Sequence, residues 1–305
     1  MQNEFRFSSL TPMKKTILVT GANGQVGMEM GQLSGAYPSF QFVLTTREEM
    51  PLDDFDKIKN VIDKYKPQFL VNCAAYTAVD KAESEKDLAY KINGDAPGIV
   101  AAACRANNTR LVHISTDYVF NGNGDRPYKE DADTDPVNLY GDSKLRGETN
   151  VLRENPESLV IRTAWVYSEF GKNFVKTMLR LMSEKESINV VRDQYGTPTY
   201  AADLAQAIMK VIIILDNDGE VRQPGIYHFS NEGSISWYEF ALAIRDISGY
   251  ACEVKPIPSS DYPTPAKRPH YSVLDKSKIT NAFNVVPKPW RESLEVCIEK
   301  IRRKK

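Results

Sequence analysis

Cysteine and histidine are scarce in this sequence, and neither is arranged as a metal site. The 305 residues include four cysteines and three histidines. They are widely separated, and no Cys-x-x-Cys pair or other zinc-binding spacing is present, so no metal is predicted from them. Few, scattered cysteines are typical of a reducing compartment, where thiols persist. These residues are Cys73, Cys104, Cys252, Cys297, His113, His228 and His270.

Long apolar runs and an excess of one charge are also lacking. The longest dense apolar run, residues 211–215, is too short to span a bilayer, and residues 1–12 lack the apolar core of a signal peptide. The net charge is −1, so no general attraction to nucleic acid or to an anionic membrane is expected. We therefore expect a cytoplasmic protein without membrane or nucleic-acid partners, in which residues 1–13 form a disordered lead-in.

The first half of the chain alternates short β-rich runs with helical patterns, which is typical of βαβ units and a parallel sheet. The apolar runs suit strands that are buried on both faces. This pattern predicts an α/β fold with a Rossmann-type, doubly wound parallel sheet. The predicted strands are 16–20, 42–45, 69–73, 111–115 and 159–162, and the predicted helices are 26–33, 54–64, 87–105 and 139–153.

The second half is less regular. Helices are predicted at 172–185, 201–215, 236–248 and 290–303, with a strand at 225–230. Five prolines within residues 256–269 predict an extended loop, because proline suits neither a helix nor a central strand. We expect residues 14–165, with roughly 190–230, to form a cofactor domain. Roughly 166–189 and 231–305 would form a smaller C-terminal α/β substrate-binding domain.

A glycine-rich turn joins the first strand to the first helix. Gly21, Gly24 and Gly27 are spaced Gly-x-x-Gly-x-x-Gly, one residue longer at the start than the usual dinucleotide fingerprint. Gly21 permits a sharp turn, Gly24 lets the backbone approach a diphosphate, and Gly27 allows close packing of helix on strand. Because helix N–H groups face the turn, the sequence predicts a dinucleotide site.

The end of the second strand bears on the choice of cofactor. An acidic residue there would bind the adenosine ribose of NAD, but the strand ends in Thr-Thr-Arg47. Arg47 could pair with a 2′-phosphate, which favours NADPH and leaves NADH possible. Asp54 and Phe55 could meet the adenine, although Asp54 is equally suited to cap a helix.

Tyr140 and Lys144 are four residues apart and share one face of a predicted helix. A tyrosine has an ordinary pKa of about 10, and a nearby ammonium group lowers that pKa and so favours proton transfer. The pair follows the strand that bears Ser115 and Thr116, and this order favours a carbonyl reductase. A tyrosine and a lysine at this spacing also occur by chance in a chain of this composition. The alternative interpretation is a pair on the protein surface, in which Lys144 contacts Glu148.

These motifs resemble the extended short-chain dehydrogenase/reductases, and among them the dTDP-4-dehydrorhamnose reductase group. The resemblance covers nearly the whole chain after Met13. Two stretches, Val79-Asp-Lys-Ala-Glu83 and Ser115-Thr-Asp-Tyr-Val-Phe120, are specific to that group. Further matches lie in residues 20–27, 139–148, 162–167, 171–179, 193–199 and 268–269.

The resemblance implies site residues position by position. Thr116, Tyr140 and Lys144 would be catalytic, and Tyr140 and Lys144 would also contact the cofactor. The implied cofactor contacts are Asn23, Gly24, Gln25, Val26, Asp54, Phe55, Ala74, Ala75, Tyr76 and Asn93. The implied substrate contacts are Thr116, Trp165, Asn173 and Arg268; for Trp165 a place in the core is the alternative.

The implied activity is reduction of dTDP-4-dehydro-L-rhamnose, a small-molecule nucleotide sugar, to dTDP-L-rhamnose by NADPH or NADH. Two alternatives stay open: another nucleotide-sugar epimerase or dehydratase, and a non-catalytic regulatory subunit like that of methionine adenosyltransferase. Some relatives hold Mg²⁺ between subunits, and Glu29 fits one such position. The segment after Pro198 lacks the expected glutamate, so Mg²⁺ is doubtful and the chain is expected to be a monomer or homodimer.

Overall fold

The computed structural model describes residues 14–218 and 223–304. The predicted lead-in, residues 1–13, lies outside the described residues. The strands are β1 (Lys15–Thr20), β2 (Phe40–Thr45), β3 (Phe69–Asn72), β4 (Arg110–Thr116), β5 (Leu159–Thr163), β6 (Val166–Tyr167), β7 (Ser187–Val191), β8 (Tyr195–Gly196), β9 (Thr199–Tyr200), β10 (Gly225–His228), β11 (Ile235–Ser236) and β12 (Glu253–Ile257).

The α-helices alternate with the strands over much of the chain. They are α1 (Gln25–Leu33), α2 (Phe55–Tyr65), α3 (Val79–Ala82), α4 (Lys86–Tyr90), α5 (Ala96–Ala106), α6 (Leu139–Glu154), α7 (Phe174–Glu184), α8 (Ala201–Asp218), α9 (Trp237–Ser248), α10 (Ser277–Phe283) and α11 (Trp290–Arg303). Short 3₁₀ turns cover Ser34–Ala36, Asp117–Val119 and Ser259–Asp261, and Lys91–Asp95 forms a π-helical turn.

Six parallel strands form the central sheet in the order β10-β5-β4-β3-β1-β2. The chain order reverses between β1 and β3, and a doubly wound sheet binds its ligand at this switch point, beyond the carboxyl ends of the strands. The prediction of a Rossmann-type α/β fold is therefore confirmed.

Alternate residues of each central strand enter two different cores. In β1, Ile17 and Val19 pack on the face that α8 covers, while Leu18 packs on the face that α2 and α5 cover. Because successive side chains point to opposite faces, a strand covered on both sides must be apolar throughout. Burial of β1, β3 and β5 on both faces explains their apolar runs, which are Ile17–Val19, Phe69–Val71 and Leu159–Ile161.

The predicted long helix 87–105 is wrong as a single element. It consists of α4, the π-helical turn and α5. Pro97 lacks the amide hydrogen that would bond to the carbonyl of Asn93, four residues before it. The adjacent Gly94 carbonyl instead accepts a hydrogen bond from the Asn150 side chain at 2.8 Å.

The predicted loop over residues 256–269 is wrong at its start, because Pro256 belongs to β12. This strand pairs in parallel with β7, a strand that was not predicted. The two form a two-stranded sheet, and proline is tolerated in such an edge strand when its missing amide would face away from the neighbour. Later in the segment, the Lys267 carbonyl accepts a hydrogen bond from Asn138, which caps the helix that carries Tyr140.

A further hydrophobic cluster lies outside the central sheet. It contains the buried faces of α7, α9 and α11 with β7 and β12, and it includes Val175, Phe240 and Leu294. A capping box begins α9, since Ser236 and Glu239 each bond to the other's backbone amide. The domain bounds given by the sequence stay a prediction. In the part of the chain that the structure describes, the helices are too short or too polar to cross a bilayer.

Candidate active site

A cavity of about 900 Å³ lies beyond the carboxyl ends of the central strands, at the switch point. It brings together the glycine turn, the Tyr140–Lys144 pair and Trp165. Most of the predicted site residues line it: Gly21, Asn23, Gly24, Gln25, Val26, Arg47, Ala74, Ala75, Tyr76, Thr116, Tyr140, Lys144 and Trp165. The predicted residues absent from its lining are Gly27, Asp54, Phe55, Asn93, Asn173 and Arg268.

The glycine turn has no room for side chains. Gly21 has φ +68°, and a Cβ built there would lie 2.9 Å from the Ala74 backbone. A Cβ on Gly27 would lie 2.3 Å from the Gly21 carbonyl oxygen, so α1 can pack on the turn only through glycine. Gly24 precedes the first turn of α1, whose free N–H groups favour an anion. The turn therefore fits the diphosphate of a dinucleotide.

Arg47 extends from the end of β2 into the cavity lining. Its guanidinium lies 3.8 Å from the Asp53 carboxylate, and its side chain is 77% exposed. A long, water-accessible ion pair of this kind is weak. Arg47 is therefore available to an additional anion at the adenosine end.

Tyr140 and Thr116 meet although 24 residues separate them. Thr116 ends β4, and Tyr140 lies in the first turn of α6, which Asn138 caps by accepting a hydrogen bond from the Gly141 amide at 2.8 Å. The Tyr140 and Thr116 side chains both line the cavity, and the Tyr140 ring packs edge-on against Tyr118 with 5.5 Å between centroids. The phenol thus lies in the cavity rather than in the core.

The pKa of Tyr140 differs from the sequence-based expectation. Desolvation raises the pKa of its phenol to about 12, and the neighbouring Thr116 hydroxyl opposes this rise only in part. We expected Lys144 to lower this pKa, but its ammonium group bonds elsewhere. In the protein alone, Tyr140 is therefore a protonated acid at neutral pH.

Lys144 lies one helical turn after Tyr140 and is almost fully buried. Its ammonium group donates a hydrogen bond to the Ile114 carbonyl at 2.7 Å, where β4 approaches the cavity. Burial lowers the pKa of Lys144 from 10.5 to about 8, and the negative charge of Glu148 opposes this shift. The charge of the lysine is thus sensitive to mildly alkaline pH.

The alternative in which Lys144 and Glu148 form a surface pair is excluded by burial, since both side chains lie in the interior. Glu148 instead accepts hydrogen bonds from Arg162, with Nη2–Oε2 at 2.7 Å and Nε–Oε1 at 2.9 Å, and also from the Ser115 hydroxyl. This buried network connects α6 to β4 and β5.

Asn93 is buried behind the cavity wall. Its amide accepts a hydrogen bond from the Tyr76 amide at 2.8 Å and donates to the Tyr76 carbonyl at 2.9 Å and to the Ser143 hydroxyl at 3.1 Å. Asn93 therefore fixes the segment after β3 to α6.

Asp54 caps α2 by accepting a hydrogen bond from the Lys57 amide at 3.0 Å, and Phe55 lies beneath Lys91, at a separate surface depression.

Asn173 caps α7 and ties it to the glycine turn. Its amide donates to the Gln25 side chain at 2.9 Å and to the Ser168 carbonyl at 2.7 Å. Arg268 forms a two-nitrogen salt bridge with Asp80, at 2.6 and 2.9 Å. That guanidinium holds the pKa of the Asp80 carboxyl below its ordinary value. In this conformation both residues join separate segments of chain at the rim of the cleft.

The cavity also contains side chains that were not predicted. Trp237, Lys172 and Phe174 line it near Trp165, and Asp117 follows Thr116 directly. Asp117 is buried, and one of its carboxylate oxygens has no hydrogen-bond partner among the described residues. Burial raises its pKa to about 6. The position of Asp117 directly after Thr116 could have indicated from the sequence that it belongs to the site. No local sequence pattern around Trp237 indicates a site.

Glu29, the residue considered for an interface metal, is buried beside Glu169. It accepts a hydrogen bond from the Ser168 hydroxyl at 2.6 Å, and Lys300 lies 3.4 Å from the Glu169 carboxylate. Burial, reinforced by the neighbouring carboxylate, raises the pKa of Glu29 to about 7. Within residues 14–218 and 223–304, no three His, Cys, Asp or Glu side chains are grouped as metal ligands.

The sequence and fold are similar to those of known proteins along nearly their full lengths. The chain is 42% identical to the spore coat polysaccharide biosynthesis protein SpsK of Bacillus subtilis, covering 93% of this chain and 96% of that protein. It is 40% identical to a dTDP-4-dehydrorhamnose reductase of Aggregatibacter actinomycetemcomitans, covering 92% and 97%.

Among solved structures, the dTDP-4-dehydrorhamnose reductase of Bacillus anthracis in complex with NADP matches with a TM-score of 0.89 and 37% identity. This match covers 94% of the present chain and all of that one. Residues 13–303 match the family described as the RmlD substrate binding domain. With this match and relatives at about 40% identity, the chain belongs to the RmlD family of dTDP-4-dehydrorhamnose reductases.

Proposed function

We propose that this chain reduces the 4-keto group of dTDP-4-dehydro-L-rhamnose to give dTDP-L-rhamnose. The observation that carries the proposal is that Tyr140 and Thr116 line the same cavity as the glycine turn. The dinucleotide site and the proton donor therefore face the same cavity. The dTDP-4-dehydrorhamnose reductases at 40% identity and nearly full coverage support the choice of substrate.

NADPH fits the residues at the cofactor end of the cavity. The glycine turn receives the diphosphate on the amides of α1, and Arg47 offers a cation to the 2′-phosphate. The NADP complex of the Bacillus anthracis relative supports this choice. When bound, the cofactor supplies the hydride for C4 of the sugar.

The side chains of this protein complete the reduction by supplying a proton. Thr116 donates a hydrogen bond to the ketone oxygen, and Tyr140 transfers its phenolic proton to that oxygen as the C4–H bond forms. The neutral, protonated Tyr140 of the structure is the form that can donate. Lys144, held by the Ile114 carbonyl, keeps positive charge behind the phenolate that is left. Solvent then returns the proton to Tyr140.

We assign Trp165, Asn173 and Arg268 to the sugar-nucleotide side of the cleft. Trp165 lines the cavity directly, Asn173 joins α7 to Gln25, and Arg268 lies in the segment that contacts the α6 cap. Binding of the nucleotide diphosphate by Arg268 requires that its guanidinium share or leave Asp80. We also propose that Asn93 supports the cofactor by holding Tyr76 from behind the cavity lining. Asp54 and Phe55 are proposed to contact the adenosine end, since Asp53 directly before them lines the cavity.

The direct test is an assay with purified chain, dTDP-4-dehydro-L-rhamnose and either NADPH or NADH, with identification of the sugar that is released. We expect substrate-dependent oxidation of NADPH and dTDP-L-rhamnose as product. A chain that binds the nucleotide without turnover would support a regulatory role, and one purified with firmly bound NAD would support an epimerase. The Asp117–Tyr118 pair, where dehydratases carry Asp-Glu, supports a reductase.

We further propose that the protein acts in the cytoplasm as a monomer or homodimer, without nucleic acid. The near-neutral net charge supports the absence of a nucleic-acid partner, and the free cysteines suit a reducing compartment. Light scattering after size-exclusion chromatography, with and without Mg²⁺, measures the oligomeric state.

A further inference from the structure

Trp165 has a backbone conformation that a non-glycine residue rarely adopts. Its φ is +47°, in the left-handed region. Such strain persists only where the surroundings fix it, and it concentrates at functional sites. The residue lies two positions after Thr163, which pairs with Thr116 in the central sheet. The strained backbone therefore places an indole in the cavity that Thr116 also lines.

The Trp165 indole is held between two residues from later segments. On one side a Cβ on Gly196 would lie 2.6 Å from Cε2 and 2.8 Å from Nε1, so only glycine admits the ring. Trp237 stacks in parallel with the indole, with 3.5 Å between ring centroids and 9° between planes. These two contacts restrict the Trp165 ring to a single position in the cleft.

Trp237 is itself firmly placed. It is the first residue of α9, directly after the Ser236 cap, in which the Ser236 amide donates to Glu239 Oε2 at 2.7 Å. Phe174 packs against the Trp237 ring with 4.6 Å between centroids. Trp165, Phe174 and Trp237 all line the cavity, so they form an apolar, aromatic wall at its sugar end.

We infer that Trp237 is a positioning residue: through its stack with Trp165 it fixes the aromatic wall against which the hexose ring of the nucleotide sugar lies. This inference rests on the proposed function. Because Gly196 and Trp237 cover the faces of the Trp165 indole, the stacked rings offer the cavity their apolar edges. These edges suit the C–H groups of a hexose and an apolar 6-deoxy methyl group, whereas a hydroxyl against them would have no partner. Without the Trp237 ring, the strained Trp165 relaxes and the aromatic wall is lost.

The kinetic test separates sugar binding from cofactor binding. Trp237→Ala should raise the KM of the 4-keto sugar nucleotide about tenfold, the order expected for loss of a stacked aromatic pair, with the KM of NADPH within about twofold. Trp237→Phe keeps a flat apolar ring and should restore most of the loss. Trp290→Phe is the matched control, because Trp290 packs against Phe240 outside the cavity lining.

A spectroscopic test reports on the stack itself. The chain has three tryptophans. Two indoles in contact couple electronically, and a twist between their transition dipoles within the stacked planes produces an exciton couplet in far-ultraviolet circular dichroism. We expect the couplet in the unmodified chain and in Trp290→Phe, and its loss in Trp165→Phe and Trp237→Phe. The couplet should change on addition of dTDP-L-rhamnose and stay constant on addition of NADPH.

Failures of the two proposals have different signatures. If the unmodified chain turns over no 4-keto sugar nucleotide, the proposed reaction fails and this inference fails with it. If the unmodified chain is active but Trp237→Ala leaves the KM of the sugar nucleotide unchanged, or raises both KM values equally, only the positioning role is overturned. A couplet that persists in Trp237→Phe also overturns it.

Discussion

Arg162 and Glu148 form a two-nitrogen salt bridge in the interior, with each side chain 2% exposed. The bridge joins β5 to α6, and α6 carries both Tyr140 and Lys144. Arg162 also lies over the face of Phe120, 5.1 Å from the ring centroid. Through this pair the central sheet sets the position of the helix that supplies the proton donor.

Glu148→Gln is expected to destabilise the fold strongly. Removing one partner leaves the Arg162 charge buried without compensation, which costs about 3–5 kcal/mol. Chemical denaturation, read as the free energy of unfolding, measures this loss. Glu184→Gln is the control, since Glu184 pairs with Arg180 on an exposed helix face and should change stability by less than about 0.5 kcal/mol. Equal effects of the two substitutions would contradict the structural role of the buried bridge.

Gly27→Ala is expected to abolish cofactor binding, because the added Cβ would meet the Gly21 carbonyl oxygen at 2.3 Å and displace α1 from the turn. Isothermal titration with NADPH measures the effect. Gly35→Ala adds the same methyl group where no atom of the described part of the chain lies within 4 Å, and this variant should bind NADPH normally. Normal NADPH affinity in Gly27→Ala would show that the close packing of α1 on the turn is not needed.

Activity should decline above about pH 8. The pKa of Lys144 is lowered to about 8 by burial, so its ammonium form is lost as the pH rises through that value, while the Tyr140 phenol, with a pKa of about 12, stays protonated. A profile of kcat/KM from pH 6 to pH 10 would show this alkaline limb. A flat profile to pH 10 would mean that the lysine charge does not support catalysis.

The same lysine should have the opposite effect on stability. Its pKa is about 8 in the folded protein and close to 10.5 in the unfolded chain, so between these values the unfolded chain binds more protons. The contribution of Lys144 to the free energy of unfolding therefore rises with pH over that interval, while the enzyme activity falls.

Removal of divalent metal should leave activity unchanged. The Glu29–Glu169 pair lies near the ammonium groups of Lys300 and Lys304, which are 3.4 and 3.8 Å from Glu169 and supply the positive charge that a cation would otherwise provide. Initial rates and light scattering before and after dialysis against EDTA test this expectation. Loss of activity that Mg²⁺ restores would contradict it.

The sequence predicted the parts of the site that depend on local spacing. The strand, the glycine turn and α1 are contiguous, and Tyr140 and Lys144 share a helix face, so their relation follows from helical geometry alone. The apolar strand sequences, which alternate with helical patterns along the chain, likewise predicted the parallel sheet. These features need no knowledge of distant contacts.

Other features depend on contacts between segments far apart in sequence. The Arg268–Asp80 salt bridge spans 188 residues, and the Trp165–Trp237 stack joins a strand end to the start of a distant helix. The lowered pKa of Lys144 likewise follows from burial, which the Tyr-x-x-x-Lys spacing does not reveal. Such properties arise from tertiary packing and were accessible only from the structure.

The most direct test of the account is Tyr140→Phe, which removes one hydroxyl and keeps the ring that packs against Tyr118. With NADPH and dTDP-4-dehydro-L-rhamnose at saturation, kcat should fall by about 10²–10⁴-fold, as expected for loss of a general acid, with NADPH affinity retained. A kcat close to that of the unmodified enzyme would contradict the assignment of Tyr140 as the proton donor.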